Sequence, residues 1–348
     1  MPAVRVLIDT TFVRRAPRSG TGIYLERLCA ALATMDGVDV IPAGNLRRRP
    51  PAGGGWGSVR NLLADERWTQ IELVRRARAA GADLIHHPLP AYAHASTLPQ
   101  VVTVHDLAFE LLPDKFDPSF RRVAHLTHRA AALRARVVIC VSHATARDVH
   151  ARWGVRPERI VVAPHGLGQD FGSAPETDAR SRGGYFLYVG DDEPRKNLGG
   201  LLAAYRLYRE NVALPLDLVL AGSASAAEAG VRVEHRPDAA HLAALYRGAT
   251  SLVHCSLHEG FGMTLVEAMA AGTPVLAAPA PGVVEVCGDA ARYADPRDPG
   301  SFAAAMAEIA ADGALRRELA ERGRRRAAGF SWTESARIHL GAYSLALK

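Results

Sequence analysis

The chain alternates short, nearly continuous apolar runs with longer amphipathic segments. Parallel strands covered by helices on both faces produce this pattern, because such strands have no solvent-facing side. The sequence therefore predicts an α/β protein. Six strands are predicted in the first half, at residues 4–9, 38–41, 83–87, 100–105, 137–141 and 160–163. Five more are predicted in the second half, at residues 185–189, 216–221, 231–234, 251–255 and 274–278.

Three amphipathic or apolar segments predict informative helices. After Gly22, apolar residues recur at the i, i+3, i+4, i+7 spacing of a helix with one buried face, namely Leu25, Leu28, Cys29 and Leu32. Residues 264–271 are apolar apart from Thr264 and Glu267, which predicts a buried helix. Near the end, Ser331 and Glu334 have the spacing of a capping box. They begin a helix whose predicted apolar stripe is Trp332, Ala336, Leu340, Tyr343 and Leu347.

The alternation of strands and helices restarts at Tyr185, which indicates two domains. A length of 348 residues also favours two domains over one. Residues 166–184 contain glycines, a proline and small polar residues, the composition of an exposed linker. Residues 42–58, rich in proline, glycine and arginine, are predicted to form a mobile loop.

Composition excludes several classes of protein. Hydrophobic residues make up 48% of the chain and charged residues 22%, both ordinary values for a globular protein. No apolar run reaches the ~20 residues that span a bilayer, so neither an anchor nor a signal peptide is expected. The four cysteines lie far apart without a Cys-x-x-Cys pair, which suggests neither a disulfide framework nor a zinc site. A reducing cytoplasm fits best.

The positive charge is concentrated in the first half. Residues 1–170 contain 23 Lys and Arg against 15 Asp and Glu, whereas the remainder contains 19 against 21. The excess suggests an anionic partner for the first half, either an acidic membrane surface or a phosphorylated substrate. Nucleic acid is less favoured, because no helix-turn-helix, zinc finger or aromatic-rich basic strand pair accompanies the arginines. Solvated surface charge is the alternative interpretation.

Ligands of open α/β sheets bind beyond the carboxyl ends of the strands, so the residues there are candidates for chemistry. Residues 19–22, Ser-Gly-Thr-Gly, directly precede a helix and offer backbone N–H groups to an anion, although a tight turn without a ligand explains them equally well. His105 ends an apolar run, where an imidazole could donate to a sugar hydroxyl. A hydrogen-bonded structural histidine is the alternative.

The strand at 185–189 is followed by Gly-Asp-Asp-Glu-Pro-Arg-Lys-Asn at residues 190–197. The chain has only three lysines, so Lys196 beside Arg195 pairs a compact cation with a bidentate fork, as diphosphate recognition requires. Solvated charge near a helix start is the alternative, and it is disfavoured because cations oppose the helix dipole there.

A second cluster follows the strand at 251–255. Gly260 and Gly262 permit close backbone approach at a helix start, where amides can bind a sugar hydroxyl or a phosphate. Glu267 lies in the apolar helix that follows, and a buried carboxylate is costly without hydrogen-bond donors. Ribose hydroxyls could supply those donors, and a buried ion pair with an arginine is the alternative.

These residues resemble the signature of family 4 of the retaining GT-B glycosyltransferases. Glu259 and Glu267, with seven residues between them, lie within the segment 259–275, EGFGMTLVEAMAAGTPV. Gly190 with residues 193–197, and the segments 102–106, 141–145 and 283–291, are similar to the same family. The resemblance implies a GT-B fold of two Rossmann-like domains facing a cleft. Residues 1–167 would form an acceptor domain onto which 332–348 packs back, and 184–331 a nucleotide-sugar donor domain.

The resemblance also implies residue roles. Arg195 and Lys196 would hold the donor diphosphate, Glu267 the ribose and His105 the far hydroxyl of the sugar. Glu259 would bind the donor sugar with the backbone amides of Phe261, Gly262 and Met263. Donor binding would also involve Gly22, Gly190 and Thr264. Asp191 and Asp192 depart from the uncharged residues commoner there and would repel a diphosphate unless they are solvated or turned away.

The activity implied is transfer of a hexose, from UDP-hexose or GDP-mannose, to a hydroxyl of a glycan, lipid-linked or small-molecule acceptor with retained configuration. No metal and no cofactor are expected, because cationic side chains and a helix dipole stand where other transferases place an ion. A cytoplasmic protein, peripheral at the inner membrane face, would fit. The alternatives are a nucleotide-sugar hydrolase or epimerase and a non-catalytic nucleotide-sugar-binding protein, since each needs a diphosphate clamp.

Overall fold

The structure is a computed structural model that describes residues 3–47, 56–168, 184–223 and 226–348. The chain divides into two compact units. Unit 1 comprises Met1–Leu107, Pro118–Gly166 and Ser331–Lys348, and unit 2 comprises Ala108–Asp117 and Leu167–Phe330. Most of the linker predicted at 166–184 lies outside the described residues.

Unit 1 contains a parallel sheet in the order β2-β1-β3-β4-β5-β6. Its strands are β1 (Val4–Asp9), β2 (Val38–Ala43), β3 (Leu84–His87), β4 (Gln100–Val104), β5 (Val137–Cys140) and β6 (Ile160–Val162). Its helices are α1 (Thr11–Arg15), α2 (Gly20–Ala33), α3 (Trp56–Arg67), α4 (Leu73–Ala79), α6 (Pro118–Arg134), α7 (His143–Asp148) and the closing α14 (Trp332–Ala346). Every residue of β3, β4 and β5 is buried, which explains why these strands are continuous apolar or neutral runs.

Unit 2 contains a second parallel sheet, in the order β12-β11-β10-β7-β8-β9. Its strands are β7 (Tyr185–Val189), β8 (Asp217–Gly222), β9 (Val231–His235), β10 (Ala249–His254), β11 (Val275–Ala277) and β12 (Ala291–Tyr293). Its helices are α5 (Ala108–Leu111), α8 (Leu198–Asn211), α9 (Ala239–Gly248), α10 (Met263–Ala270), α11 (Pro281–Cys287), α12 (Pro299–Ala311) and α13 (Gly313–Ala327).

The eleven strands predicted from apolar runs are confirmed, with ends shifted by one or two residues. The structure departs from the sequence analysis at two points. The sequence missed β12, which is three residues long and includes the exposed Arg292. At both ends of the loop predicted over 42–58 the structure has regular elements, since Pro42 lies in β2 and α3 begins at Trp56, and residues 48–55 lie outside the described residues. Pro42 is tolerated because β2 is an edge strand of its sheet.

The helix α14 belongs to the core of unit 1, where Ala336, Ala342 and Tyr343 pack with residues of the sheet and of α2. Its first turn is capped as predicted, since the Ser331 hydroxyl accepts a hydrogen bond from the Glu334 N–H at 3.1 Å. The buried face differs from the predicted stripe. Leu347 is 41% exposed, whereas His339 is fully buried.

Candidate active site

The sheet of unit 2 has a reversal point between β7 and β10. From β7 the chain builds outward through β8 and β9, and then from β10 in the opposite direction through β11 and β12. Ligands of such sheets bind at this point, beyond the carboxyl ends of the two central strands. Residues 190–196 follow β7 and residues 255–262 follow β10, so both predicted donor-binding segments lie at the reversal point.

The glycine that follows β7 packs closely against two neighbouring segments. The Gly190 N–H donates to the Ala221 carbonyl at 2.9 Å. A Cβ on Gly222 would lie 2.2 Å from the Gly190 oxygen, and a Cβ on Gly190 would lie 2.7 Å from Nζ of Lys196. The Lys196 ammonium therefore lies directly beyond the end of β7, over a backbone without a side chain.

Arg195 and Lys196 lie in a 3₁₀ turn, Pro194–Lys196, and α8 begins only after Asn197. Asn197 has a left-handed backbone with φ of 57°, which asparagine tolerates better than most residues. The preceding Asp191 and Asp192 are exposed. These two carboxylates are therefore solvated, which removes the main objection to a diphosphate beside this turn.

Arg195 joins the two segments. Its Nε lies 2.9 Å from Oε2 of Glu193, and its Nη1 lies 2.9 Å from Oε2 of Glu259. The Leu257 N–H also donates to the Arg195 carbonyl at 2.8 Å. The guanidinium is 18% exposed and is held among carboxylate oxygens. Phosphate oxygens are also anionic acceptors, and a guanidinium binds them in the same way.

Glu259 is held as a buried anion. Its Oε1 accepts a hydrogen bond from the Ser256 hydroxyl at 3.1 Å and lies 3.5 Å from Nε2 of His254. Burial alone raises the pKa of Glu259, but the charge of Arg195, the His254 hydrogen bond and charge, and the charge of Lys196 together hold that pKa well below its usual range. The site therefore keeps a fixed negative charge at neutral pH.

The residues between Glu259 and α10 form a compact turn. A Cβ on Gly282 would lie 2.3 Å from the Glu259 carbonyl and 2.7 Å from that of Gly260, so the turn rests directly on α11. Phe261 is buried, and its ring lies edge-on to Phe330 with centroids 5.4 Å apart. Gly262 has a left-handed φ of 87°. Met263 and Thr264 then begin α10 and are half-buried.

Glu267 is buried on α10 and 4% exposed. The Tyr246 hydroxyl donates to its Oε2 at 2.6 Å. Burial and the negative charge of Glu267 raise the pKa of Tyr246 well above its usual value, so the tyrosine stays protonated and remains a donor. The sequence had weighed ribose or arginine as the partner, and the structure adds a tyrosine hydroxyl.

In unit 1, Gly22 is explained by packing. A Cβ at this position would lie 2.3 Å from the Ala16 carbonyl and 3.0 Å from that of Pro17. The Ser19 hydroxyl caps α2 by accepting from the Gly22 N–H at 3.1 Å. The tight-turn interpretation therefore accounts for this glycine, and its contact with a diphosphate remains a prediction.

His105 is fixed by hydrogen bonding in unit 1. Its Nε2 donates to the Pro88 carbonyl at 3.0 Å, because a carbonyl can only accept. Burial lowers the pKa of His105, which keeps the ring neutral. The edge of the Tyr24 ring lies against it, with centroids 5.0 Å apart. A neutral His105 thus offers Nδ1 as an acceptor, whereas the sequence had suggested a donor.

A buried hydrogen-bond chain runs behind His105 and anchors α14. The carbonyl of Ser335 can only accept, so Nδ1 of His339 donates to it at 2.7 Å. Burial lowers the pKa of His339 to about 4, so the ring is neutral and Nε2 accepts from the Tyr24 hydroxyl at 3.0 Å. Tyr24 in turn accepts from Thr103 at 3.0 Å.

The buried hydrogen-bond chain continues to the strand β3. Because the Thr103 proton is already donated, Nε2 of His86 donates to the threonine oxygen at 2.8 Å. Nδ1 of His86 then accepts from the Tyr343 hydroxyl at 2.9 Å. Burial lowers the pKa of His86 well below its usual value and raises that of Tyr343, so both remain neutral. One backbone carbonyl thereby determines the direction of five hydrogen bonds.

The structure brings together Gly190, Arg195, Lys196 and Glu259 in unit 2, and it places Gly22 and His105 in unit 1. Sequence reasoning missed Glu193, Ser256, His254 and Tyr246. His254 gave a usable signal, because it ends an apolar run in the same way as His105. Tyr246 gave none, because its partner lies 21 residues away.

Two Rossmann-like domains, each with a six-stranded parallel sheet, are the architecture of the GT-B class of glycosyltransferases. Two solved structures show the same fold. Sucrose-phosphate synthase from Thermosynechococcus elongatus has a TM-score of 0.75 and 21% identity, covering 98% of both chains. Anabaena HepE in complex with UDP and glucose has a TM-score of 0.71 and 19% identity, covering 98% of this chain and 99% of that one.

Two family models and one similar protein identify the family within the GT-B class. The model of Glycosyltransferase Family 4 matches residues 18–171, and that of Glycosyl transferases group 1 matches residues 174–326. O-antigen chain mannosyltransferase B of Escherichia coli is 28% identical over 287 residues, which are 76% of this chain and 74% of that protein. The chain belongs to the group 1, family 4 glycosyltransferases, and it is a glycosyltransferase, as its sequence motifs predicted.

Proposed function

We propose that the protein transfers a hexose from a nucleotide diphosphate sugar to an acceptor hydroxyl, with retained configuration and without a metal ion. The observation that carries this proposal is the close association of Arg195, Lys196 and Glu259 beyond β7 and β10. The Escherichia coli relative is named a mannosyltransferase of the O-antigen chain, which supports mannose as the sugar, hence GDP-mannose among the two expected donors, and a glycan as acceptor. The UDP and glucose held by Anabaena HepE support UDP-hexose as the second donor to test.

The proposed reaction separates charge, and the site contains groups that stabilise both the negative and the positive charge. As the bond to the leaving diphosphate breaks, negative charge grows on the phosphate and positive charge on the sugar ring. Arg195 and Lys196 stabilise the phosphate, and they do so more strongly as its charge develops. The fixed carboxylate of Glu259 lies beside them and stabilises the ring. The acceptor hydroxyl attacks from the leaving-group face, and a phosphate oxygen takes its proton.

The remaining donor contacts follow the same proposal. Glu267 accepts from a ribose hydroxyl, since a carboxylate that already accepts from Tyr246 retains lone pairs for further donors. The backbone amides of residues 261–263 bind the sugar. Nδ1 of His105 accepts from a sugar hydroxyl, because its Nε2 is already committed to Pro88.

Replacing Lys196 with alanine tests the clamp. We expect turnover at saturating donor to fall by ~10²-fold or more, as for other lost electrostatic contacts to a transition state. Lys348→Ala is the matched control, because Lys348 is exposed at the end of the chain. Wild-type turnover with only a raised Michaelis constant in Lys196→Ala would show that the lysine binds substrate without assisting the reaction.

The same assay separates transfer from the alternative activities. Incubation of the wild-type protein with GDP-mannose or UDP-glucose and a glycan acceptor should form a glycoside. Release of free sugar at an equal rate without acceptor would identify a hydrolase. Binding of the nucleotide sugar without any turnover would identify a binding protein and contradict the proposal.

Peripheral contact with an anionic membrane is the partner that we propose for unit 1. Phe120, Val123 and Leu126 are 51%, 59% and 62% exposed on α6, and the exposed Arg122 lies among them. An apolar stripe with flanking cations is the pattern of a helix that lies on a lipid surface. No helix in the described part of the chain is long and apolar enough to span a bilayer.

A further inference from the structure

A histidine that the donor site does not yet explain lies at the end of β10. His254, Ser256 and Glu259 are 6%, 2% and 9% exposed, so all three are buried together. Nε2 of His254 lies 3.5 Å from Oε1 of Glu259 and 3.4 Å from the Ser256 hydroxyl oxygen. The Ser256 hydroxyl lies 3.1 Å from the same Oε1. Histidine and serine thus approach one oxygen of the carboxylate together.

The positions of the protons follow from the carboxylate. An ionised Glu259 can only accept, so the Ser256 hydroxyl donates to Oε1. The serine oxygen is then an acceptor, and both groups that face Nε2 of His254 require a proton on that nitrogen. Arg195 bonds the other carboxylate oxygen, Oε2, at 2.9 Å. The two oxygens of Glu259 are therefore held from opposite sides by different groups.

His254 differs in its ring contacts from His86 and His339 of unit 1. His86 and His339 each have hydrogen-bond partners at both ring nitrogens. In the described part of the chain, the buried Nδ1 of His254 has no such partner. Among the described residues the buried Nδ1 of His87 also lacks a partner, but Nε2 of His87 contacts Gln100 within unit 1, whereas Nε2 of His254 contacts a carboxylate of the candidate site. The contacts that the ring of His254 makes through Nε2 are directed at Glu259 and Ser256.

We propose that His254 is a positioning residue that orients the Glu259 carboxylate toward the donor sugar through its Nε2–H. This inference rests on the proposed function, in which Glu259 stabilises the developing charge of the sugar ring. Arg195 alone fixes one carboxylate oxygen and leaves rotation about the last side-chain bond open. His254 and Ser256 fix the other oxygen, so that the plane of the carboxylate is determined.

The test compares amides that replace different ring nitrogens. The amide of His254→Gln reaches the position of Nε2, whereas that of His254→Asn reaches only the position of Nδ1. We expect His254→Gln to keep turnover within about threefold of wild type. We expect His254→Asn to lose about tenfold or more, the effect of one hydrogen bond to a charged group. GDP and UDP affinities should stay within about threefold in both variants, because the Arg195 and Lys196 clamp is intact.

The pH profile supplies a readout that a structural role would not move. Without the His254 hydrogen bond and charge, the pKa of Glu259 rises, so the acidic limb of the turnover profile should move to higher pH in His254→Asn. Ser251→Ala is the matched control, because Ser251 lies buried on the same strand and bonds only backbone carbonyls. It should lower stability without moving the limb.

The outcomes separate the two proposals. A wild-type protein that transfers no sugar refutes the proposed function, and this inference fails with it. An active wild type with His254→Gln and His254→Asn equally impaired, and with an unmoved acidic limb, refutes the positioning role alone.

Discussion

Replacing His339 with glutamine removes a titratable group from the buried hydrogen-bond chain of unit 1. Burial lowers the pKa of His339 from 6.5 to about 4, although the hydrogen bond to Ser335 opposes this effect. The folded protein therefore excludes a proton that the unfolded chain takes up once the pH falls below 6.5. Acid should weaken unit 1 through this residue.

The magnitude follows from the two pKa values. The stability contributed by neutral His339 is fully present above pH 6.5 and is lost progressively as the pH falls to about 4. The difference of about 2.5 between the folded and unfolded values corresponds to about 3 kcal/mol. Between pH 7 and pH 4, the wild-type protein should therefore lose about 3 kcal/mol more unfolding free energy than His339→Gln.

Tryptophan fluorescence during urea unfolding measures this effect in unit 1 alone. All four tryptophans belong to that unit, namely Trp56, Trp68, Trp153 and Trp332. His94→Gln is the matched control, because His94 is exposed on the same unit. We expect the control to keep the wild-type dependence on pH. Equal dependence in wild type and His339→Gln would refute the reasoning, since His339 would then bind its proton equally well in the folded protein.

Three further predictions concern the donor site and the membrane. Activity should persist in excess chelator if, as proposed, Arg195 and Lys196 hold the diphosphate; loss in chelator with recovery in magnesium or manganese would contradict this. Tyr246→Phe removes a donor from the buried carboxylate of Glu267 and should lower the free energy of unfolding by about 1–3 kcal/mol in urea titrations; an unchanged value would show that solvent replaces the hydroxyl. Flotation should recover more protein with phosphatidylglycerol vesicles than with neutral ones, and high salt should abolish the difference, since each basic residue near the surface adds roughly 1 kcal/mol; equal recovery would indicate a soluble acceptor.

The strands could be predicted because parallel strands buried on both faces appear in the sequence as nearly continuous apolar runs. The run at 137–141 is apolar throughout for this reason, and it forms β5 with every residue buried. β12 does not form an apolar run, since its three residues include an exposed arginine at an edge of the sheet. The order of strands within each sheet was not predictable, because all the apolar runs are chemically alike.

Arg195 and Lys196 could be singled out as candidate site residues from the sequence, but some of the buried residues around the candidate site could not. Lys196 was conspicuous because the chain has only three lysines. Tyr246 and His339 are buried polar residues, and in a sequence they cannot be told from exposed ones, whereas His254 could have been noticed because it ends an apolar run. The partners of Tyr246 and His339 are also remote along the chain, as the separation of 315 positions between Tyr24 and His339 shows. Such contacts follow from the tertiary structure and leave no local pattern.

The contribution of α14 to unit 1 reverses the order in which a ribosome can complete the two units. Residues 1–166 emerge first, but the core of unit 1 lacks Ala336, Ala342 and Tyr343 until the last helix has been made. At 5–20 residues per second, the 180 residues between 166 and 346 take roughly 10–35 s to synthesise. Unit 2, almost continuous in the chain, can finish folding during that interval. The nascent unit 1 meanwhile exposes the apolar and polar groups that α14 later covers, and chaperones have that time in which to bind it.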